Sequence, residues 1–189
     1  MISPAFWRNP LRRNIQAIYG MIVAQARSPA FYARYGVPDT VQGRFDLIVL
    51  HLVLILARLG RNQEPSPGRG RTGHGRSLNL GQGLFDAFCR DLDDNLREMG
   101  VGDLAVPRQM RRFGEAFYGR QAAYSDAFVA PDNRELEKAL ARNIFEAGGI
   151  HAGAARLARY ARAAARTLDA VEEDALVEAK QIFPNPEAF

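Results

Sequence analysis

The chain has 189 residues, 47% of them hydrophobic, a formal charge of +4 from 25 basic and 21 acidic side chains, and one cysteine. That length suits one domain with a real core, while a lone Cys89 excludes an internal disulfide or a thiolate zinc cluster and fits a reducing compartment. Four arginines against one glutamate between Arg61 and Arg76 supply +3 of the charge, so the remainder is nearly neutral and does not make a broadly basic nucleic-acid face.

The opening MISPAFWRNPLRRN lacks the apolar stretch of a secretory leader, and the expectation is a cytoplasmic protein. From about Pro10 to Ala26, Ile15, Ile18, Tyr19, Ile22, Val23 and Ala26 fall on one helical face, and Pro29 ends the pattern. A short turn through FYARY leads to GVPDT, where Asp39 or Thr40 can cap the next helix. That helix carries an apolar run from Leu47 to Ala57 broken only by His51. A membrane span needs about 20 apolar residues, so the run predicts the central helix of a bundle, closed by Gly60 in a left-handed cap. His51 among aliphatic neighbours reads as a hydrogen-bonded core histidine rather than a ligand.

Residues 61–77 collect glycine, proline and arginine without an apolar anchor, which predicts a mobile loop within the single domain 1–189. Beyond it Leu84, Phe85, Phe88, Leu92, Leu96 and Met99 draw an apolar stripe, with Asp86, Arg90, Asp93, Asp94, Arg97 and Glu98 opposite. No Glu-x-x-His accompanies these acids, so the face reads as solvated and paired at four-residue spacing rather than metal-binding. In REMGVGDLAVP, residues 97–107, Gly100 suits a left-handed cap that returns Val101 onto Leu96, and Pro107 suits the next helix start. Asp103 is placed to accept backbone N–H groups in the turn. Met110, Phe113, Phe117, Tyr124 and Phe128 define the following helix, and Leu136, Leu140 and Ile144 a shorter one. From His151 to Phe183 the alanine-rich pattern gives one long C-terminal helix, or two with a break near Asp169. The sum is an all-α, single-domain bundle of about six to seven helices.

The runs YGMIVAQAR (19–27), FYARYGVPDT (31–40), GRFDLIVLHL (43–52), DLDDNLREMGVGDLAVP (91–107), FYGRQAAY (117–124) and ALARN (139–143) together resemble the ubiquinol-cytochrome c chaperone family. These are bacterial relatives of mitochondrial factors that assemble respiratory complex III. The resemblance implies an all-helical, non-enzymatic chaperone without cofactor or metal. Its implied client is cytochrome b or another complex III subunit, with a small partner protein, peripheral contact with the inner face of the membrane or the ribosome, and no DNA.

Such a chaperone needs an apolar or aromatic surface rimmed by polar anchors. Aromatic and charged residues alternate at Phe31, Tyr32, Tyr35, Arg44, Arg97, Glu98, Asp103, Phe117, Tyr118, Arg120 and Tyr124, which are the candidate partner-binding residues. Each has an internal alternative: the charged ones can hold helices together and the tyrosines can be core with a satisfied hydroxyl. Two rival functions remain at this level. One is an RNA- or ribosome-binding module using the 61–77 arginines. The other is an enzyme whose helical-bundle pocket holds an acid and a base, since no phosphate loop, nucleophile elbow or His-Glu-x-x-His is present.

Overall fold

The computed structural model describes residues 10–61, 71–149, 151–172, 175–176 and 181–189, with residues 61 and 71–78 described by backbone only. Among them the chain forms α1 (Pro10–Ala26), α2 (Pro29–Ala33), α3 (Val41–Arg61), α4 (Arg71–Glu98), α5 (Val106–Val129), α6 (Arg134–Ile144), α7 (Ala152–Ala170) and a terminal 3₁₀ turn (Pro186–Ala188). No strand occurs among the described residues. The expected all-α, single-domain bundle is what the sequence builds.

Proline supplies the punctuation. Pro10 and Pro29 begin α1 and α2, where a missing N–H costs no helical bond. The four-residue spacing of Ile18, Ile22 and Ala26 then puts one buried stripe on α1. Gly36, at φ 72°, reverses the chain, and the Thr40 hydroxyl accepts from the Gly43 N–H at 3.1 Å to open α3. A side chain at Gly43 would place its Cβ 2.0 Å from the Pro38 carbonyl, so only glycine lets this turn close. In α3 Leu47, Val49, Leu50, Leu52, Val53, Leu54 and Ile55 are all buried. A helix apolar all round must be surrounded, and α1, α4, α5, α6 and α7 all pack on it.

The α4–α5 joint follows its sequence closely. Gly100 stands at φ 80°, its N–H donates to the Arg97 carbonyl at 2.9 Å, and the Val101 N–H donates to Leu96 at 3.0 Å. This is the double bond of a Schellman cap. Pro107 lies in the first turn of α5. Asp103 departs from expectation: the Gly102 carbonyl takes the Ala105 and Val106 N–H groups, and the Asp103 carboxylate instead receives the Arg97 guanidinium, a charged donor outcompeting a neutral one.

Two further expectations are corrected. Gly60 is not a left-handed cap, because α3 continues to Arg61. The expected mobile loop spanned 61–77, but residues 71–77 are helical backbone; with no proline after Pro67, propagation from the amphipathic part of α4 extends back one bond per residue. Residues 62–70 of that loop lie outside the described ones. At the C-terminus the broken-helix reading is realised, since α7 stops at Ala170. Arg58 of α3, buried, donates Nε to the Leu168 carbonyl at 3.0 Å and Nη2 to Val171 at 2.9 Å, capping the end of α7. Residues 181–189 return over the core: Ile182 and Phe183 are buried, and Gln25 and Tyr35 hold the carbonyls of Pro184 and Pro186.

After α6 the chain turns through Glu146 at φ 51°, a left-handed conformation that costs a non-glycine residue free energy. Glu146→Gly is expected to raise stability by about 1 kcal/mol in chemical denaturation, and an unchanged or lower midpoint would contradict this.

Candidate partner-binding surface

The structure divides the candidate residues by burial. Phe31, Tyr35, Phe117 and Tyr124 belong to the core and cannot meet a partner in the folded state. The physical reason is area: a large aromatic side chain gains about 1.5–3 kcal/mol by leaving water, and each has a ready nest. Phe31 meets Tyr35 and Tyr160 edge to face at 5.2 and 4.9 Å. Phe117 packs on Phe85 and Phe88 at 4.9 and 5.8 Å. The Tyr35 hydroxyl donates to the Pro186 carbonyl at 2.6 Å.

Arg120 is also mainly internal. Its Nη2 meets the Asp46 carboxylate at 2.8 Å and reaches toward the Asn143 carbonyl at the end of α6, at 3.4 Å. Gln42 donates to both Asp46 oxygens, at 3.0 and 3.1 Å. Asp46, Arg120 and Tyr124 thus form the acid, cation and phenol cluster that an enzyme would need. Asp46 is only 2% exposed and Tyr124 is fully buried, so a substrate has no access, and the cluster ties α3, α5 and α6 together.

Burial pushes the Asp46 carboxyl up to about 6 despite Arg120 beside it. It has the opposite effect on His51, held down at about 4. His51 is a satisfied core histidine, as expected: Nδ1–H donates to the Leu47 carbonyl at 2.7 Å, so Nε2 accepts from the Tyr160 hydroxyl at 2.7 Å. The two groups pull stability in opposite directions with pH. A raised acid binds its proton more tightly when folded, so Asp46 removes stability as pH climbs from about 4 to 6. A lowered histidine binds it less tightly, so His51 adds stability as pH climbs from about 4 to 6.5. Relative to wild type, Asp46→Asn is expected to gain stability with rising pH in this window and His51→Leu to lose it. Parallel pH profiles for all three proteins would contradict the assignment.

The remaining candidates face solvent in three places. Tyr32, half-buried, donates to the Ala26 carbonyl at 2.8 Å and lies under the Arg44 guanidinium, 6.0 Å from the ring centre. Arg44 pairs with Asp39 at 2.8 Å. Arg97, Glu98 and Asp103 occupy the α4–α5 turn, where Arg97 bridges Asp93 and Asp103 and Leu104 is 98% exposed at the tip. Tyr118, 59% exposed, meets Phe85 at a tilt, ring centres 5.9 Å apart, over a separate hollow shared with Leu56 and Leu59.

What joins the first two places is a groove that the candidate list missed. It runs between the start of α3 and the end of α4, with Val41, Phe45, Ile48, Leu92, Leu96, Met99 and Phe113 as its walls and Arg27, Arg44 and Asp91 at its edge, and holds about 260 Å³. Val41 and Met99, both lining it, are 66% and 55% exposed, and apolar side chains that share an open hollow form a patch rather than scattered single residues. Val41 precedes the apolar run of α3 and Met99 ends the stripe of α4, so each looks like core in its own helix; only the antiparallel meeting of the two ends leaves them open. The wall on each helix spans about two turns, enough for one apolar helix to lie across it. Among the described residues no group of histidine, cysteine and carboxylate side chains is arranged to hold a metal, and no helix is long and apolar enough to cross a membrane.

Over residues 33–183 the chain matches the family model described as Ubiquinol-cytochrome C chaperone. Four of the six sequence runs lie wholly inside that span and a fifth overlaps its start. Among solved structures the chain is similar to the crystal structure of the Cbp3 homolog from Brucella abortus, at 32% sequence identity and a TM-score of 0.77, with 99% of this chain and 98% of that chain covered. No curated protein sequence matches it.

Proposed function

The chain belongs to the ubiquinol-cytochrome c chaperone family, and from that premise we propose that it holds a newly made subunit of complex III, cytochrome b first, by non-covalent binding without catalysis. The observation that carries this reading is the open apolar groove between α3 and α4. A chaperone for a membrane protein must shield apolar helix surface and release it later. That requires an exposed apolar wall with a polar edge rather than a closed polar chamber. Val41 and Met99 supply the wall, and Arg44, with Tyr32 beneath it, the edge.

Arg97, Glu98 and Asp103 flank the end of α4 and extend the polar rim, and Tyr118 offers a second contact over its own hollow. Phe31, Tyr35, Phe117 and Tyr124 support the surface from within. A small partner protein and peripheral contact with membrane or ribosome belong to the same proposal. The test is purification of the tagged, full-length protein from its own membranes. Cytochrome b or another complex III subunit is expected to come with it, in stoichiometric amounts when translation is active. Capture of no complex III subunit would overturn the reading.

A further inference from the structure

Of three hollows with apolar walls among the described residues, one also presents charge. The hollow lined by Val53, Leu54, Ala57, Phe128 and Val129 and the one beneath Tyr118 contain no charged side chain, so nothing there selects an occupant. The α3–α4 groove differs through Arg27, Arg44 and Asp91. Arg44 is already ion-paired with Asp39 at 2.8 Å. Asp91 already accepts the Tyr19 hydroxyl at 2.8 Å. Arg27, exposed just past the end of α1, lines the same groove near Tyr19 and Tyr32, and its guanidinium makes no ion pair or side-chain hydrogen bond among the described residues.

That asymmetry constrains what can lie in the groove. An apolar helix laid along Val41, Phe45, Leu96 and Met99 strips water from the groove edge. A paired Arg44 tolerates this because its counter-charge travels with it, and Asp91 keeps one donor in the Tyr19 hydroxyl. An unpaired guanidinium does not: losing its hydration without a counter-charge is strongly unfavourable. A carboxylate on the incoming helix removes that cost and forms a charge-assisted, two-pronged contact that arginine geometry favours. Resting on the reading of the groove as the client site, we propose that the groove selects apolar helical segments carrying one carboxylate, which Arg27 receives at the groove edge. Arg27 is then a specificity-determining residue, setting which helix of a client is held and in which direction it lies.

The test uses the full-length protein and two synthetic leucine-alanine helical peptides, identical except for a single glutamate or glutamine, with the variable residue placed at either end. At low salt the glutamate peptide, in one of its two placements, is expected to bind about five- to tenfold more tightly than its glutamine counterpart. In Arg27→Gln that preference disappears, in part because the glutamine peptide binds more tightly once no unpaired charge is stripped of water, and high salt reduces the preference in wild type. Met99→Asp weakens both peptides. Equal binding of the two peptides to wild type, or a preference that survives Arg27→Gln, overturns the role of Arg27 and leaves the groove reading intact. Failure of either peptide to bind wild type, or binding that Met99→Asp leaves unchanged, overturns the groove reading and the inference with it.

Discussion

Replacing Arg120 by methionine is expected to destabilise the protein by about 1.5–3 kcal/mol at pH 7, the worth of hydrogen bonds to a charged group, because an Asp46 carboxyl already at about 6 takes up a proton rather than remain an unpaired buried charge. Asp46 sits 2.8 Å from that guanidinium with its side chain 2% exposed, and Gln42 alone cannot replace a cation. Two further measurements separate this cause from simple loss of packing. The penalty shrinks at pH 5, because the wild-type Asp46 carboxyl, raised to about 6, is itself largely protonated there and gains little from Arg120. Combining Arg120→Met with Asp46→Leu restores most of the stability, since an apolar pair suits the site about as well as the ionic one. By contrast Arg97→Ala, which breaks contacts to the exposed Asp103 and to Asp93, is expected to cost about 1 kcal/mol or less. Equal effects from Arg97 and Arg120 in denaturant titrations would contradict the division between internal tie and surface contact.

The double variant Val41→Asp, Met99→Asp is expected to reduce client capture by about tenfold or more, because a carboxylate facing an apolar helix must be desolvated on binding. Its folding stability stays close to wild type, since both side chains are largely exposed in the free protein. The corresponding cellular result is less cytochrome b and slower ubiquinol oxidation at normal levels of the variant chain. Normal complex III in the presence of a folded double variant would remove the groove from the account.

Much of the fold is written locally. The Schellman joint at Gly100 needs only a glycine after an amphipathic run and an apolar residue behind it, so Val101 and Leu96 could be paired from spacing alone. His51 could be placed in the core because its helix is apolar on every side. Arginine was the least legible residue. Arg58 caps the carbonyls ending α7, and Arg162 donates to Ala130 and Asn133 at the α5–α6 turn. Nothing near either residue in sequence marks it as a cap, because the partners lie on other helices. Glycine cannot be read from composition either: Gly43 and Gly153 each permit a backbone approach that a Cβ would block, whereas Gly60 sits unremarked inside α3.

The surface was legible only in part for the same reason. Alternation of aromatic and charged residues selected Phe31, Tyr35, Phe117 and Tyr124, which are internal, because helical spacing tells which residues share a face and not whether that face is covered. It does not single out Val41 and Met99, apolar side chains that tertiary packing leaves open along the groove. Arg44 and Arg97 were found through charge, and both border the region where those side chains emerge.

A photo-activatable residue placed at Met99 of the full-length protein, irradiated in cells making complex III, tests the central claim most directly. The account predicts a covalent adduct with an apolar helix of cytochrome b or another complex III subunit, and none of comparable yield when the same residue stands at exposed Arg166 on α7. Adducts from Arg166 to complex III subunits with none from Met99 would contradict it.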